Sequence, residues 1–319
     1  MSIPCLWEAG SKLAYVVSAK FDYHSYICPD VGPAYASALG IQVLSFSGVS
    51  YGEDYIYIID PQLSGAEVAA LRSVIFNHDT RIVFRIIDPY WPPQDTNPLR
   101  SLAFEAASLR ESCVLSAYQP SEIVDLLAKV YGPKRFHVSP YPYDVSKEIP
   151  FDWSHRKRMI AITGNHNPSL YPVRALARRK RVTSPLWRAF TTNLSHPGYM
   201  NAFGGQALVG DRYIRYLSQH MMMYLCPSRA RLEFLKYREC AYAGCCPVGQ
   251  SPEGFPVSAS DSILNVSLTA FKEQFRKIRH TTPEELLDRS TRYRLSLAQE
   301  RSPSLIKDRL LKWVNSVYG

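Results

Sequence analysis

Lys236 and Glu239 stand three residues apart in Lys236-Tyr237-Arg238-Glu239-Cys240-Ala241-Tyr242-Ala243-Gly244, a stretch whose spacing predicts a helix over 233–243 closed by a left-handed Gly244. A three-residue step puts both side chains on one helix face. A carboxylate so placed can accept hydrogen bonds from a ribose diol, and the ammonium beside it can face phosphate oxygens. The start of that helix, expected near Ser228 to Leu232, would present unpaired backbone N–H groups, which suit a phosphate, and Arg231 adds a cation there. Other candidates follow apolar runs. Asp88, in Ile87-Asp88-Pro89-Tyr90-Trp91, sits at a strand end and could take a proton from a hydroxyl; the alternative is a turn carboxylate. His24 stands beside Asp22 after the first apolar run, either facing a ligand or in a turn capped by Asp22. Tyr90, Trp91 and Tyr199 suit ring stacking or plain packing.

These residues need a scaffold, and the patterning supplies one. In the first half, short apolar runs at 13–18, 41–46, 55–59, 81–87, 113–117 and 136–139 read as strands. Helical spacing lies between them at 33–39, 65–76, 99–109 and 121–131. Nearly continuous apolar strands separated by helices indicate a parallel sheet covered on both faces. Pro140, Pro142 and Pro150 then break regular structure. The grammar restarts with strands at 158–163, 220–226 and 246–249 and helices at 169–181, 207–219 and 233–243. The tail is helical at 270–278, 283–297 and 303–317. Met221-Met222-Met223 reads as buried strand. The fold class is therefore α/β, with two Rossmann-like domains, 1–145 and 146–300, and a last helix at 301–319. Open sheets of this kind bind ligands beyond the carboxyl ends of their strands, so the expected site is a cleft between the two.

Composition narrows the classes. The 319 residues are 46% hydrophobic and 20% charged, ordinary for a folded chain. No apolar run is long enough to span a bilayer, and the first ten residues do not read as a secretory signal. The seven cysteines are scattered without a CxxC pair, which argues against a zinc site or disulfide framework and for a reducing, cytoplasmic setting. Asn193-Leu194-Ser195 and Asn265-Val266-Ser267 are taken as chance glycosylation matches. The net charge of +9 fits an anionic partner or a solvated surface. It concentrates partly at Arg156-Lys157-Arg158 and at Arg178-Arg179-Lys180-Arg181, where cations also favour a helix C-terminus.

The segment from Lys236 to Val248 resembles the nucleotide-binding signature of GT-B glycosyltransferases, closest to the "glycosyl transferases group 1" branch with the CgeB-like proteins. Its Gly-Cys-x-Pro-Val ending also resembles exostosin-like transferases. The resemblance implies that Glu239, five residues before Gly244, binds the ribose of a sugar nucleotide. The wider family places another Glu eight residues earlier, near the donor sugar; here that position is Arg231. Gly164-Asn165 followed by Tyr171-Pro172-Val173-Arg174 resembles the same branch's glycine turn and Tyr-Pro-x-Arg. By that match Arg174 approaches the donor diphosphate, with Gly164 allowing close backbone approach. His196 and Tyr199, in His196-Pro197-Gly198-Tyr199, would border the donor pocket.

What the resemblance implies is a glycosyltransferase moving a sugar from a nucleotide-activated donor to a hydroxyl, with retention mildly favoured. It also implies that the last helix, 301–319, packs back toward the first domain, as in the GT-B fold. The donor is a substrate, so no cofactor is expected. No Asp-x-Asp occurs, in keeping with metal-independent catalysis by cations and helix dipoles. Arg174 and Lys236 would stabilise the leaving diphosphate, and Asp88 and His24 would serve the acceptor. The acceptor would be a carbohydrate, a lipid-linked or a small molecule, not nucleic acid, and a peripheral membrane contact through Arg178–Arg181 stays open. The rival readings are a nucleotide-sugar epimerase on the same scaffold and a non-catalytic nucleotide- or polyanion-binding protein.

Overall fold

The computed structural model describes residues 12–21, 23, 32–52, 54–86, 97–118, 122–132, 134–169, 171–194, 208–227, 231–266 and 270–319. The chain divides into two compact units. One comprises the first strand, Asp30–Pro142 and Pro303–Gly319; the other is Tyr143–Ser302.

In the first unit, strands β1 (Lys12–Val17), β2 (Gln42–Ser45), β3 (Tyr55–Ile59), β4 (Arg81–Ile86), β5 (Cys113–Ala117) and β6 (Phe136–Val138) form one sheet in the order β2-β1-β3-β4-β5-β6. Every pairing is parallel. Helices α1 (Pro33–Ala38), α2 (Gly65–Asn77), α3 (Pro98–Leu109) and α4 (Glu122–Tyr131) connect them. Alternate residues feed opposite faces, and both faces are buried. Val16, Tyr57, Ile59 and Phe84 pack with α2 and α3, while Tyr15, Ile56, Ile58 and Val83 pack on the other side. That double burial is why the strands read as continuous apolar runs rather than alternating ones. The N-terminus of α2 carries a capping box, Ser64 accepting from the Glu67 N–H while Glu67 accepts from the Ser64 N–H.

The second unit restarts with β7 (Lys157–Thr163), α5 (Pro172–Thr183), α6 (Pro185–Phe190), β8 (Thr191–Leu194), α7 (Gly210–Leu217), β9 (His220–Leu225), α8 (Leu235–Ala243), β10 (Cys246–Gly249), α9 (Val257–Ser262) and β11 (Leu264–Asn265). Its parallel sheet runs β11-β10-β9-β7-β8. In both sheets the first strand of the unit has the second on one side and the third on the other. The chain thus reverses its direction of winding between β1 and β3, and again between β7 and β9, and these switch points leave a crevice at the strand carboxyl ends. Helices α10 (Phe271–His280) and α11 (Pro283–Glu300) complete the unit. The last helix, α12 (Pro303–Tyr318), belongs to the first unit, where Ile306, Leu310, Trp313 and Val314 enter the core.

Most predicted elements agree with these bounds within three residues. Four short elements were not predicted: α6, β8, α9 and β11. Thr191–Leu194 has one apolar residue in four and gains strand structure only by pairing with β7. Helix α8 also starts later than expected, at Leu235. Arg231 lies in the left-handed region at φ 57, with its carbonyl accepting from the Glu253 N–H at 3.0 Å. Glu233 is held by Arg301 at 3.0 Å. Both contacts keep Arg231 to Glu233 out of the helix, so the described part of the expected N–H array, Arg231 and Leu232, precedes α8; residues 228–230 lie outside the described residues.

One half-buried titratable group makes the first unit acid-sensitive. His137 stacks on Trp313 at 4.8 Å, its Nε2 has no hydrogen-bond partner, and burial, with the Arg309 charge, pushes its pKa from 6.5 down to about 4. The folded state refuses a proton that the unfolded chain accepts. Stability therefore falls as pH drops below 6.5 and continues to fall until about 4, by up to about 3 kcal/mol. His137→Phe is expected to lose less denaturation free energy than the parent between pH 7 and 4, checked by urea unfolding at each pH.

Candidate functional site

The crevice between β7 and β9 gathers five of the residues singled out in the sequence. β7 ends at Thr163, and the chain turns at Gly164 with φ 97. A Cβ on Gly164 would lie 2.4 Å from Lys236 Cε and 3.1 Å from an Arg174 terminal nitrogen, so only glycine lets these two cations approach the turn. Arg174, in the first turn of α5, is 3% exposed; one terminal nitrogen donates to the Asn165 carbonyl at 2.7 Å, and its guanidinium lies 4.6 Å from the Tyr171 ring centroid. Its Nε is buried without a partner. Arg174 is thus buried, not the surface cation its helix position alone would allow.

Lys236 and Glu239 share a face of α8, as expected from their spacing. Lys236 Nζ is 3.5 Å from Glu239 Oε2 and donates to the Tyr213 hydroxyl at 3.3 Å, which in turn donates to Thr163 Oγ1 at 2.7 Å. At 3.5 Å the Lys236–Glu239 contact is an ion pair rather than a directed hydrogen bond, and Glu239 Oε2 has no hydrogen-bond donor. Glu239 is 1% exposed. Burial pushes the Lys236 pKa below its ordinary value; the Glu239 charge opposes that shift and the Arg174 charge adds to it. The Tyr213 hydroxyl is pushed well up, first by burial and then by Glu239. The result is two cations and one under-bonded carboxylate at a strand-end turn.

The C-terminal end of α8 is tied down by two buried arginines. Arg294 donates through Nε to Ala241 O at 2.6 Å and through a terminal nitrogen to Tyr242 O and Ile149 O, both at 2.7 Å. Arg156 donates to Gly244 O at 2.8 Å. Gly244 itself is left-handed at φ 65, as predicted, and a Cβ there would lie 2.8 Å from Arg294. These cations satisfy terminal carbonyls and match the negative end of the helix.

A pocket of about 560 Å³ opens at the carboxyl ends of β9, β10 and β11. Pro172 and Val173, in the turn of α5 that carries Arg174, form part of its lining with Pro227, Gln250, Ser251 and Arg231. Among the described residues, Arg231 is the one charged residue of the lining. Glu233, two residues further on, is committed to Arg301. His24, Asp88, His196, Tyr199, Tyr90 and Trp91 lie outside the described residues.

The first unit has a strand-end cluster that sequence reasoning missed. Asp60, directly after β3, accepts from the Tyr15 hydroxyl at 2.8 Å, the Tyr23 hydroxyl at 2.9 Å and the Gln62 N–H at 2.9 Å. Burial pushes its carboxyl up; these bonds and the Arg85 charge pull it back. Arg85, 6% exposed in β4, lies 3.7 Å from the Tyr35 ring centroid. The available signal was a guanidinium inside an otherwise apolar strand, Arg81-Ile82-Val83-Phe84-Arg85-Ile86.

No family model matches the chain, and no curated protein matches it in sequence. Solved structures do match it in fold. An α-glucosyltransferase in complex with UDP and a 13-mer DNA aligns with a TM-score of 0.51 at 11% identity, over 96% of this chain and 100% of that one. An α,α-trehalose 6-phosphate synthase from Burkholderia multivorans aligns with a TM-score of 0.58 at 9% identity, over 97% and 99%. TarM aligns with a TM-score of 0.56 at 10% identity, over 85% of this chain and 56% of TarM. The chain has the GT-B fold of these glycosyltransferases: two parallel α/β sheets and a helical C-terminal end.

The glycine at the β7 turn makes a direct test of the cluster. Gly164→Ala forces a Cβ into a left-handed position and against Lys236, which can swing away but leaves the turn when it does. The expected stability loss is about 1–2 kcal/mol. If this cluster holds a nucleoside diphosphate, the affinity for it falls about tenfold, an effect of about 1.4 kcal/mol, measured by calorimetric titration.

Proposed function

We propose that the protein is a glycosyltransferase that takes a sugar from a nucleoside-diphosphate donor and passes it to a hydroxyl acceptor. The observation that carries this reading is the convergence of Gly164, Arg174, Lys236 and Glu239 at the switch-point crevice of the second unit, beside a pocket of nucleotide size. The UDP held by the α-glucosyltransferase of the same fold supports it. Glu239, with an oxygen that lacks a donor, accepts from the ribose diol. Arg174 and Lys236 face the diphosphate and stabilise the charge that grows on it as the glycosidic bond to phosphate breaks. Such preorganised donors commonly contribute about 3 kcal/mol each to the barrier. The first unit binds the acceptor, with Asp88 accepting the proton of the attacking hydroxyl and His24 orienting it. His196 and Tyr199 border the donor, and the C-terminal helix closes the first domain. The reaction needs no metal and retains the anomeric configuration, as in the group 1 and CgeB-like branch that the Lys236–Val248 segment resembles.

The test is a thermal-shift and calorimetric screen with UDP, GDP, ADP and their glucose conjugates, followed by assay for slow donor hydrolysis. A transferase raises its melting temperature with one diphosphate and releases free sugar; an epimerase returns an intact isomeric nucleotide sugar. No stabilisation by any diphosphate overturns the reading.

A further inference from the structure

The formal charge of +9 has one address. Between Asp152 and Asp211 the chain carries nine lysines and arginines and no carboxylate side chain, while the remaining residues balance at 28 cations to 28 carboxylates. Three of the nine are used internally. Arg156 caps α8, Arg158 donates to Thr281 O at 2.6 Å, and Arg174 lies in the β7 turn. The others gather on α5 and α6, which flank the edge strand β8: Arg178, Arg179, Lys180, Arg181 and Arg188, with Lys157 at the opposite end of β7.

Two of these arginines also shape the corner. Arg188 donates to Val182 O at 2.9 Å and to Arg181 O at 3.3 Å, and Arg181 donates to Thr191 O at 3.2 Å. The acceptors are neutral carbonyls, so the positive charge is not cancelled. Between the cations stand two aliphatic side chains in water: Val182 at 70% exposure and Leu186 at 57%. The aromatic residue of the corner, Trp187, is fully buried and donates to Ala177 O at 2.8 Å. Single exposed aliphatics are common, but these two project from the stretch that carries the whole formal excess of charge.

We propose that the α5–α6 corner is a docking surface for an anionic lipid bilayer. The cations meet lipid phosphates, and Val182 and Leu186 enter the boundary between headgroups and acyl chains. The aliphatic pair favours lipid over nucleic acid, because binding to single strands gains from exposed stacking rings and this corner keeps its ring inside. Among the described residues no helix is long and apolar enough to cross a membrane, so the contact is peripheral. The inference does not rest on the donor reading, since it involves no nucleotide.

The experiment is co-sedimentation of the full chain with phosphatidylcholine vesicles, with and without phosphatidylglycerol. Binding only to the phosphatidylglycerol vesicles, weakened by salt, is expected. Arg179→Gln with Lys180→Gln is expected to lose about fivefold per cation removed. Val182→Thr with Leu186→Gln is expected to lose at least about tenfold, from the aliphatic area no longer buried. Circular dichroism and the melting temperature verify that each variant folds. No sedimentation with either vesicle overturns the proposal. So does a Val182/Leu186 variant that binds vesicles as the parent does while short duplex DNA competes equally, which would make the corner a general polyanion surface.

Discussion

Glu239→Ala is expected to weaken nucleoside diphosphate binding on the order of a hundredfold, about 3 kcal/mol, with the fold retained. Two losses combine. The ribose diol loses a charged acceptor, and a hydrogen bond to a charged group contributes roughly 1.5–3 kcal/mol. Lys236 also loses the carboxylate 3.5 Å away that opposes its burial, while Arg174 still disfavours its charge. The ammonium then sheds its proton more readily, which is why the fold tolerates the change: a lysine can neutralise where a guanidinium cannot. The pH dependence follows in sign. Affinity for a diphosphate is full while Lys236 is protonated and is lost as pH rises through its folded pKa, which lies below the ordinary 10.5. In Glu239→Ala that loss begins at lower pH. Calorimetric titration with UDP across pH 7 to 9.5 measures both effects. An unchanged affinity at neutral pH would remove Glu239 from the ribose, and an unchanged pH profile would remove Lys236 from the diphosphate.

Arg294→Met is expected to destabilise the second unit by about 4 kcal/mol. The guanidinium satisfies the Ala241, Tyr242 and Ile149 carbonyls and pairs with Glu148 at 3.4 Å, all at 4% side-chain exposure. Methionine fills similar volume but leaves buried carbonyls without donors at the end of α8, where the helix most needs them. Arg294→Lys restores the charge but not the fork that reaches several acceptors at once, so it should recover only part of the loss. Urea unfolding of the three proteins reads the difference; a Met variant within about 1 kcal/mol of the parent would show that Arg156 alone suffices as the cap. Because α8 carries Lys236 and Glu239, Arg294→Met should also loosen diphosphate binding, although the carbonyls that Arg294 bonds are those at the far end of the helix and of Ile149.

The alternation of strands and helices was legible because both faces of each sheet are buried. Tyr55-Ile56-Tyr57-Ile58-Ile59 has no polar side to hide its character. The strands that escaped, Thr191–Leu194 and Leu264–Asn265, lie at the two sheet edges, and pairing with β7 and β10 rather than their own composition makes them strands. The start of α8 was misplaced for a related reason. Arg231 and Glu233 are plausible helix residues by type, and distant partners, Glu253 and Arg301, remove them.

The sequence by itself determined the class of fold, the break after the first half, the left-handed Gly244 and the shared face of Lys236 and Glu239. Each of these follows from local spacing or from the conformational range of one residue type. Tertiary structure alone decided that Arg174 is buried beside Gly164, that Asp60 is held by Tyr15 and Tyr23, and that Arg294 closes α8. Those contacts join groups up to 145 residues apart. A side chain's charge environment depends on which distant backbone reaches it, and no window along the chain contains that information.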